Sequence, residues 1–254
     1  MSPVRTARHG LALTWRNLLR LKHSPDQLLD VVVQPVTFVV LFVFVFGDAI
    51  AGNWHTYLQY VVPGITVQTL MFASMTTGLG LNTDVRTGIF DRFRSLPIAR
   101  SAPLIGQVLG DMCRYVVSLL LVLVFGAVLG FRFHAGALAV LAACAVVMGF
   151  GFAMCWVGAT VGMLAKRPST VSVFSFVLVL PLMFSSNVLV PVGKLPGWLQ
   201  AVARVNPVTQ VSDAARALML GTPGAHIVVD ALLWSAAIVL VFAPLAVWAY
   251  LRPV

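Results

Sequence analysis

Six stretches of mostly apolar residues, each about twenty residues long or longer, occur along the chain. That length matches the hydrocarbon core of a bilayer when the chain is helical. Only helices or closed barrels can pair every backbone polar group in lipid, and these stretches lack the alternation of barrel strands. The sequence therefore predicts an all-α integral membrane protein with six transmembrane helices, at about 29–47, 57–81, 108–130, 137–164, 170–190 and 229–251.

The composition agrees with burial in lipid. Only 10 % of the 254 residues are charged, 59 % are hydrophobic and the mean hydropathy is +0.95. Soluble domains carry roughly 25 % charged residues, so this chain has too few charges to cover a water-exposed surface. We expect a single transmembrane domain over residues 1–254. Ala49 and Ala51 resemble a signal-peptide cleavage site, but the preceding apolar run is too long for one, and we expect a retained anchor.

The positive charges predict the orientation. The chain carries 17 Lys and Arg against 8 acidic residues, all of them Asp. Placing the N-terminus inside leaves twelve basic residues on the cytoplasmic side and four outside, as the positive-inside rule requires. Both termini are therefore expected in the cytoplasm. The clustering of basic residues beside apolar segments accounts for the net charge of +9 and argues against nucleic-acid binding. The four outside are Arg132, Lys194, Arg204 and Arg216.

Several kinds of chemistry have no sequence support. There is no G-x-x-x-x-G-K-[ST] phosphate-binding loop, no H-E-x-x-H motif, no C-x-x-C pair and no Glu. We therefore predict no catalytic residue, no metal site and no cofactor bound by this chain. Asp111 and Arg114 lie near the inner end of a span, at i and i+3, where they are expected to pair locally. Mid-membrane positions look uncharged, which disfavours a proton antiporter.

Two segments on the cytoplasmic side have helical patterns of their own. Residues 8–22 place Leu and Trp on one face and basic residues opposite, which predicts an interfacial helix. After the second span, Ile89, Phe93 and Leu96 form one apolar ridge, and Pro97 would end the helix. Such a helix suits docking into a groove on a soluble partner. An ordinary basic loop packed on the membrane remains the alternative.

The outer side carries an unusually long connection at 191–228. Its stretches 197–205 and 208–220 are amphipathic, which predicts two short helices that dip into the outer leaflet as a re-entrant segment. Irregular backbone at that depth requires cover from protein or a cavity. Within the spans, three G-x-x-x-G pairs suggest close helix contacts, one of them Gly158 and Gly162.

The cytoplasmic loop resembles that of the type-2 ABC transporter permeases. Asp84, Gly88, Asp91 and Pro97 match the family pattern, whereas Arg86 stands where the family often has Glu, and Ile89 replaces Thr. Further blocks resemble the daunorubicin-resistance branch of that family, and together they cover nearly the whole chain. They are 91–97 with Arg100 and Ser101, then 186–191, 195–200, 205–209 and 214–221.

The resemblance implies a permease subunit of an ATP-driven exporter of drugs or antibiotic-like molecules in a bacterial plasma membrane. A separate ATPase, in two copies, would hold ATP and Mg²⁺. The second permease chain would be an identical copy or a sister chain. Residues 8–22 would form a connecting helix. The coupling contacts with the ATPase would come from Asp84, Arg86, Gly88, Ile89, Asp91, Arg92, Phe93, Arg94, Leu96 and Pro97.

Candidate residues for the cargo pathway come from spans two and five, because Met and aromatic side chains adapt to varied apolar ligands. They are Met71, Phe72, Met75, Phe176, Phe184 and Asn187. The alternative is that these residues pack helices or face lipid. Three other functions stay open at this point: a lipid or polysaccharide ABC export permease, an ion-coupled secondary drug transporter, and an intramembrane enzyme.

Overall fold

A computed structural model describes residues 25–87, 102–222 and 224–251. Within these ranges the regular structure is helical, which confirms the all-α class. Two short turns of other helix types are also present, a π-helical turn at Phe42–Phe46 and a 3₁₀ turn at Val192–Lys194. The helices are α1 Pro25–Leu41, α2 Gly47–Ala51, α3 Trp54–Arg86, α4 Ala102–Leu129, α5 Ala137–Leu164, α6 Pro168–Phe184, α7 Gly197–Val205, α8 Pro207–Leu220 and α9 Ala225–Leu251.

Four helical segments in the described ranges are long and apolar enough to cross a membrane. They are Val33–Ala51, Leu104–Leu129, Ala137–Leu164 and Ala225–Tyr250. Helix α6 is also apolar but has only 17 residues. Helix α3 has 33 residues and is less apolar than these segments. The chain is therefore a multi-pass membrane protein.

Helix α3 is polar because the other helices surround it. It packs against α4, α5, α6 and α8, so few of its side chains need to face lipid. A helix that contacts protein on most sides can carry polar residues wherever they find internal partners. Of its buried polar residues, Thr66, Ser74, Thr77 and Asn82 form hydrogen bonds within the protein. The side chains of Gln68 and Thr69 are buried without a hydrogen-bond partner among the described residues.

The backbones of α3 and α5 touch directly. A Cβ atom built at Gly158 would collide with the carbonyl oxygen of Ser74, and one at Gly162 would collide with that of Gly78. A Cβ at Gly78 would in turn collide with the carbonyl oxygen of Gly158. Small residues permit this approach, as in other membrane helix pairs. The helix contact predicted for Gly158 and Gly162 is confirmed.

The end of α6 differs from the sequence prediction. The fifth span was expected to reach residue 190, but α6 ends at Phe184. Residues 185–190 are apolar enough to continue a span, yet they form bends. Donors from other parts of the chain replace the helical partners of their carbonyl groups, as described below.

The two amphipathic stretches of the outer segment form α7 and α8 close to their predicted bounds. Pro207 occupies the first turn of α8, where its missing N–H costs nothing. The Asn206 side chain caps that helix by accepting from the amide of Val208 at 2.8 Å. Gly221 ends it with φ +76°, a left-handed conformation that favours glycine.

Candidate functional site

The first part of the site lies where α3 begins, against residues 185–191. The hydroxyl of Tyr60 donates to the carbonyl of Asn187 at 2.6 Å, and that of Tyr57 donates to the carbonyl of Leu189 at 2.9 Å. These two residues lie one turn apart on α3, so both hydroxyls reach the same bent segment. Gly64, one turn further, brings the helix close enough that a Cβ there would lie 2.8 Å from the carbonyl oxygen of Val188.

Arg216 of α8 joins the same segment to α3. Its side chain is 7 % exposed and donates to the carbonyls of Tyr60 at 3.0 Å, Asn187 at 2.8 Å and Val188 at 3.2 Å. Its guanidinium also lies 3.9 Å from the centre of the Tyr60 ring. An Arg fork supplies five donors in fixed directions, which suits three carbonyl acceptors at once. The sequence counted Arg216 only as an outer basic residue, and no pattern indicated this role.

A carboxylate completes the arrangement. Asp213 Oδ1 accepts from Arg216 at 3.0 Å and from the side-chain amide of Asn187 at 2.6 Å. Asn206, which caps α8, also donates to the carbonyl of Leu182 at 2.7 Å and to the hydroxyl of Ser185 at 3.0 Å. The end of α6, the bent segment and the start of α8 therefore form one hydrogen-bonded unit on α3. We call residues 185–191 with Arg216 and Asp213 the outer unit, after the side of the membrane that the positive-inside rule predicts for it.

The second part of the site lies at the other end of α3. Asn82 donates from one side-chain nitrogen to the carbonyls of Gly162 at 2.8 Å and Ala165 at 2.7 Å. Arg86 donates to the carbonyl of Lys166 at 2.8 Å. The last two turns of α3 are thus attached to the connection between α5 and α6.

The predicted coupling residues begin at this attachment. Asp84 and Arg86 lie in the last turn of α3. The interfacial helix at 8–22 lies outside the described residues, and so do Gly88, Ile89, Asp91, Arg92, Phe93, Arg94, Leu96 and Pro97. The structure therefore shows how α3 is held just before the predicted coupling helix, and the coupling role itself stays a prediction.

Between the two ends, α3 packs on a buried ion pair of α4. Asp111 and Arg114 lie 3.1 Å apart, which confirms the predicted local pair. Arg114 also donates to the hydroxyl of Thr76 at 2.6 Å and to the carbonyl of Ala73 at 3.2 Å. Asp111 is buried and Arg114 is partly buried. Because Arg114 bonds to both helices, the pair fastens α4 to α3.

The predicted pathway residues fall into two groups. Met71 and Asn187 are buried, and Phe72 and Met75 are half-buried. Phe176 and Phe184 of α6 are 50 % and 61 % exposed. The buried face of α6 is a stripe at every fourth residue, Val171, Ser175, Val179 and Met183. The six candidates therefore do not share one exposed surface in this conformation, and their part in transport remains a prediction.

Metal binding finds no support in the described part of the chain. No group of three or more His, Cys or Asp side chains there could hold a metal ion. The site consists of hydrogen bonds that attach the long helix α3 to the segments at its two ends, which suits the transmission of movement.

Comparison with known proteins identifies the family of the chain. The profile of the ABC-2 type transporter family matches residues 9–220. The daunorubicin resistance ABC transporter permease protein DrrB1 of Streptomyces coeruleorubidus is 42 % identical over 250 residues, 98 % of this chain and 88 % of that protein. The doxorubicin resistance ABC transporter permease protein DrrB of Mycobacterium tuberculosis is 33 % identical over 150 residues, 56 % of this chain and 52 % of that protein.

A third relative is similar along most of its length. This is a protein of Mycobacterium tuberculosis named as a probable doxorubicin resistance ABC transporter permease, DrrC, which is 29 % identical over 239 residues. That match covers 93 % of this chain and 86 % of the relative. Permeases of this family work with an ABC ATPase subunit. On the family match and the near full-length similarity, the chain belongs to the ABC-2 type transporter family.

Proposed function

We propose that this chain is the permease subunit of an ABC exporter that moves an amphipathic drug or antibiotic-like molecule out of the cell. The names of its relatives support this cargo class. The chain itself is not the enzyme and binds no cofactor. ATP and Mg²⁺ are held by a separate ATPase in two copies, and the whole complex acts as a translocase.

The observation that carries the mechanism is the attachment of α3 at both ends. Its 33 residues span about 50 Å at 1.5 Å per residue, enough to cross the bilayer. One end is tied to the outer unit through Tyr57 and Tyr60, and the other to the α5–α6 connection through Asn82 and Arg86. Movement of the coupling residues at 84–97 would therefore reach the outer unit through one continuous helix.

The membrane arrangement follows from the same proposal. Helices α3 and α6 join the four apolar spans to give six crossings, with both termini in the cytoplasm of a bacterial cell. Helices α7 and α8 re-enter the outer leaflet and cover the outer end of the pathway. A second permease chain, identical or a sister, pairs with this one across a pathway that includes the exposed face of α6. The whole chain, 1–254, forms one permease domain.

Transport itself tests this function. Inside-out vesicles would contain the chain alone or with its ATPase, and uptake of an amphipathic cationic dye would be measured. We expect uptake that requires the ATPase and ATP hydrolysis and that survives a proton uncoupler. Uptake by the chain alone that collapses with the proton gradient would make it a secondary transporter. A stable complex that transports only lipid or polysaccharide would refute the drug cargo and keep the ABC architecture.

The coupling assignment has a separate test. Replacing the apolar ridge by Phe93→Asp with Leu96→Asp should abolish pull-down of the ATPase, because two carboxylates would enter an apolar groove. Membrane insertion should stay normal. The control places two carboxylates in the predicted outer loop, by Phe133→Asp with His134→Asp, and should leave the pull-down unchanged. Equal pull-down by both double variants would show that the ATPase docks elsewhere.

A further inference from the structure

A groove of about 460 Å³ opens between α7, the start of α8 and the first half of α9. None of the residues of the outer unit lines it. Its wall combines two charged side chains, one amide and four apolar side chains, and they are Arg204, Asp230, Gln210, Val205, Leu233, Trp234 and Ala237.

The two charged groups in the groove do not neutralise each other. Arg204 and Asp230 are exposed, and neither forms an ion pair with any residue in the described ranges. The backbone at Arg204 is held in place, because the side-chain amide of Gln210 donates to the Arg204 carbonyl at 2.7 Å. A cation and an anion on separate helices, with apolar side chains between and below them, present complementary charges to a ligand that carries both signs.

The surface around the groove is suited to hydrocarbon. Trp198, Val202 and Val205 follow one another at i, i+4 and i+7 on α7, and all three are exposed, Trp198 by 72 %. Leu233 continues this surface on α9 and is exposed as well. In a helix that re-enters the outer leaflet, such a stripe faces acyl chains. The groove therefore opens toward lipid, with its charged residues near the first turns of α9, where that helix enters the membrane.

We propose that this groove binds one zwitterionic phospholipid of the outer leaflet, with phosphatidylethanolamine preferred. The lipid phosphate accepts from the guanidinium of Arg204, whose planar fork suits phosphate oxygens. The ammonium group donates to the carboxylate of Asp230. One acyl chain lies along Trp234, Leu233 and Ala237. This site goes beyond the export function and depends only on the placement of α7–α9 in the outer leaflet.

Lipid binding to the purified full-length permease tests the proposal without any transport step. Native mass spectrometry would count bound lipids after titration with phosphatidylethanolamine, phosphatidylcholine or phosphatidylglycerol of equal chain length. We expect phosphatidylethanolamine to bind most tightly, because phosphatidylcholine has no N–H donor for Asp230 and phosphatidylglycerol has no cation. Arg204→Gln should weaken phosphatidylethanolamine binding about tenfold, the effect of losing one charge-assisted hydrogen bond.

A second variant and a control separate the contact with the ammonium group from the contact with the phosphate. Asp230→Asn should remove the preference for phosphatidylethanolamine over phosphatidylglycerol and leave the Arg204 contact with phosphate. The control Arg132→Gln removes another exposed outer arginine away from the groove and should change nothing. The proposal fails if the Arg204→Gln variant binds each of the three lipids as tightly as the control Arg132→Gln does. It also fails if the Arg204 and Asp230 variants alter only permease dimerisation, since a second chain would then occupy the groove.

Discussion

The contact between α3 and α5 gives the sharpest prediction, for Gly158→Ala. The added methyl group would meet the Ser74 carbonyl, whose carbon lies 3.3 Å from the new atom and whose oxygen lies closer still. Both helices must then separate by about 1 Å to restore ordinary contact distances. Rigid backbone atoms cannot rotate away as a side chain can, so the cost should reach that of overpacking a core, about 2 kcal/mol.

Thermal unfolding in detergent, followed by Trp fluorescence, would measure this cost. For a chain of this length, 2 kcal/mol corresponds to a midpoint about 6 °C lower. The matched control is Gly149→Ala on the same helix, where a Cβ meets no atom within 4 Å. Alanine is the better helix former by about 0.5–1 kcal/mol, so this control should be as stable as the parent or more so. Equal midpoints for the two variants would refute the close backbone contact.

Three further changes test the ends and middle of α3. Arg216→Met should destabilise the chain by about 3 kcal/mol, because three carbonyls and a carboxylate lose a shared donor. The same unfolding assay, with Arg132→Met as the control, would measure this loss. Asn82→Ala should cost about 1–2 kcal/mol by freeing the end of α5, and limited proteolysis at the α5–α6 connection should become faster. Asp111→Asn should reduce export only modestly at normal protein levels, because Arg114 keeps its bonds to Thr76 and Ala73.

Each of these three has an outcome that contradicts its premise. An unfolding midpoint for Arg216→Met equal to that of Arg132→Met would mean that the outer unit is held by other contacts. Unchanged proteolysis for Asn82→Ala would place the attachment of α5 elsewhere. Complete loss of export in Asp111→Asn, with normal amounts of protein in the membrane, would point to a proton-coupled mechanism instead of a structural ion pair.

The apolar runs predicted most helices, because the bilayer demands a fixed length of apolar residues wherever a helix faces lipid. Helices α7 and α8 were also predicted closely, from the amphipathic pattern of residues 197–205 and 208–220. These signals are local, and each is carried by residues next to one another in the chain. The close helix contact at Gly158 and Gly162 was predicted correctly, because the G-x-x-x-G spacing is also a local signal.

The parts that sequence reasoning missed depend on distant residues. The end of α6 at Phe184 follows from donors on α3 and α8 that lie far away in sequence. Arg216 looked like an ordinary outer arginine because nothing nearby indicates three carbonyl partners. The pathway candidates were chosen by residue type, and helical phase cannot tell that Met71 faces the core whereas Phe184 faces outward.

The order in which the chain is synthesised gives the outer unit a further significance. The carbonyl of Val188 emerges from the ribosome before Arg216, which donates to it at 3.2 Å. At the membrane depth that we propose for this segment, an unpaired carbonyl costs several kcal/mol, so the segment should not settle beside α3 until α8 has arrived. A nascent chain cut after residue 200 would therefore keep residues 185–191 near the membrane surface, and the final seating of the outer unit would be a late step in biogenesis.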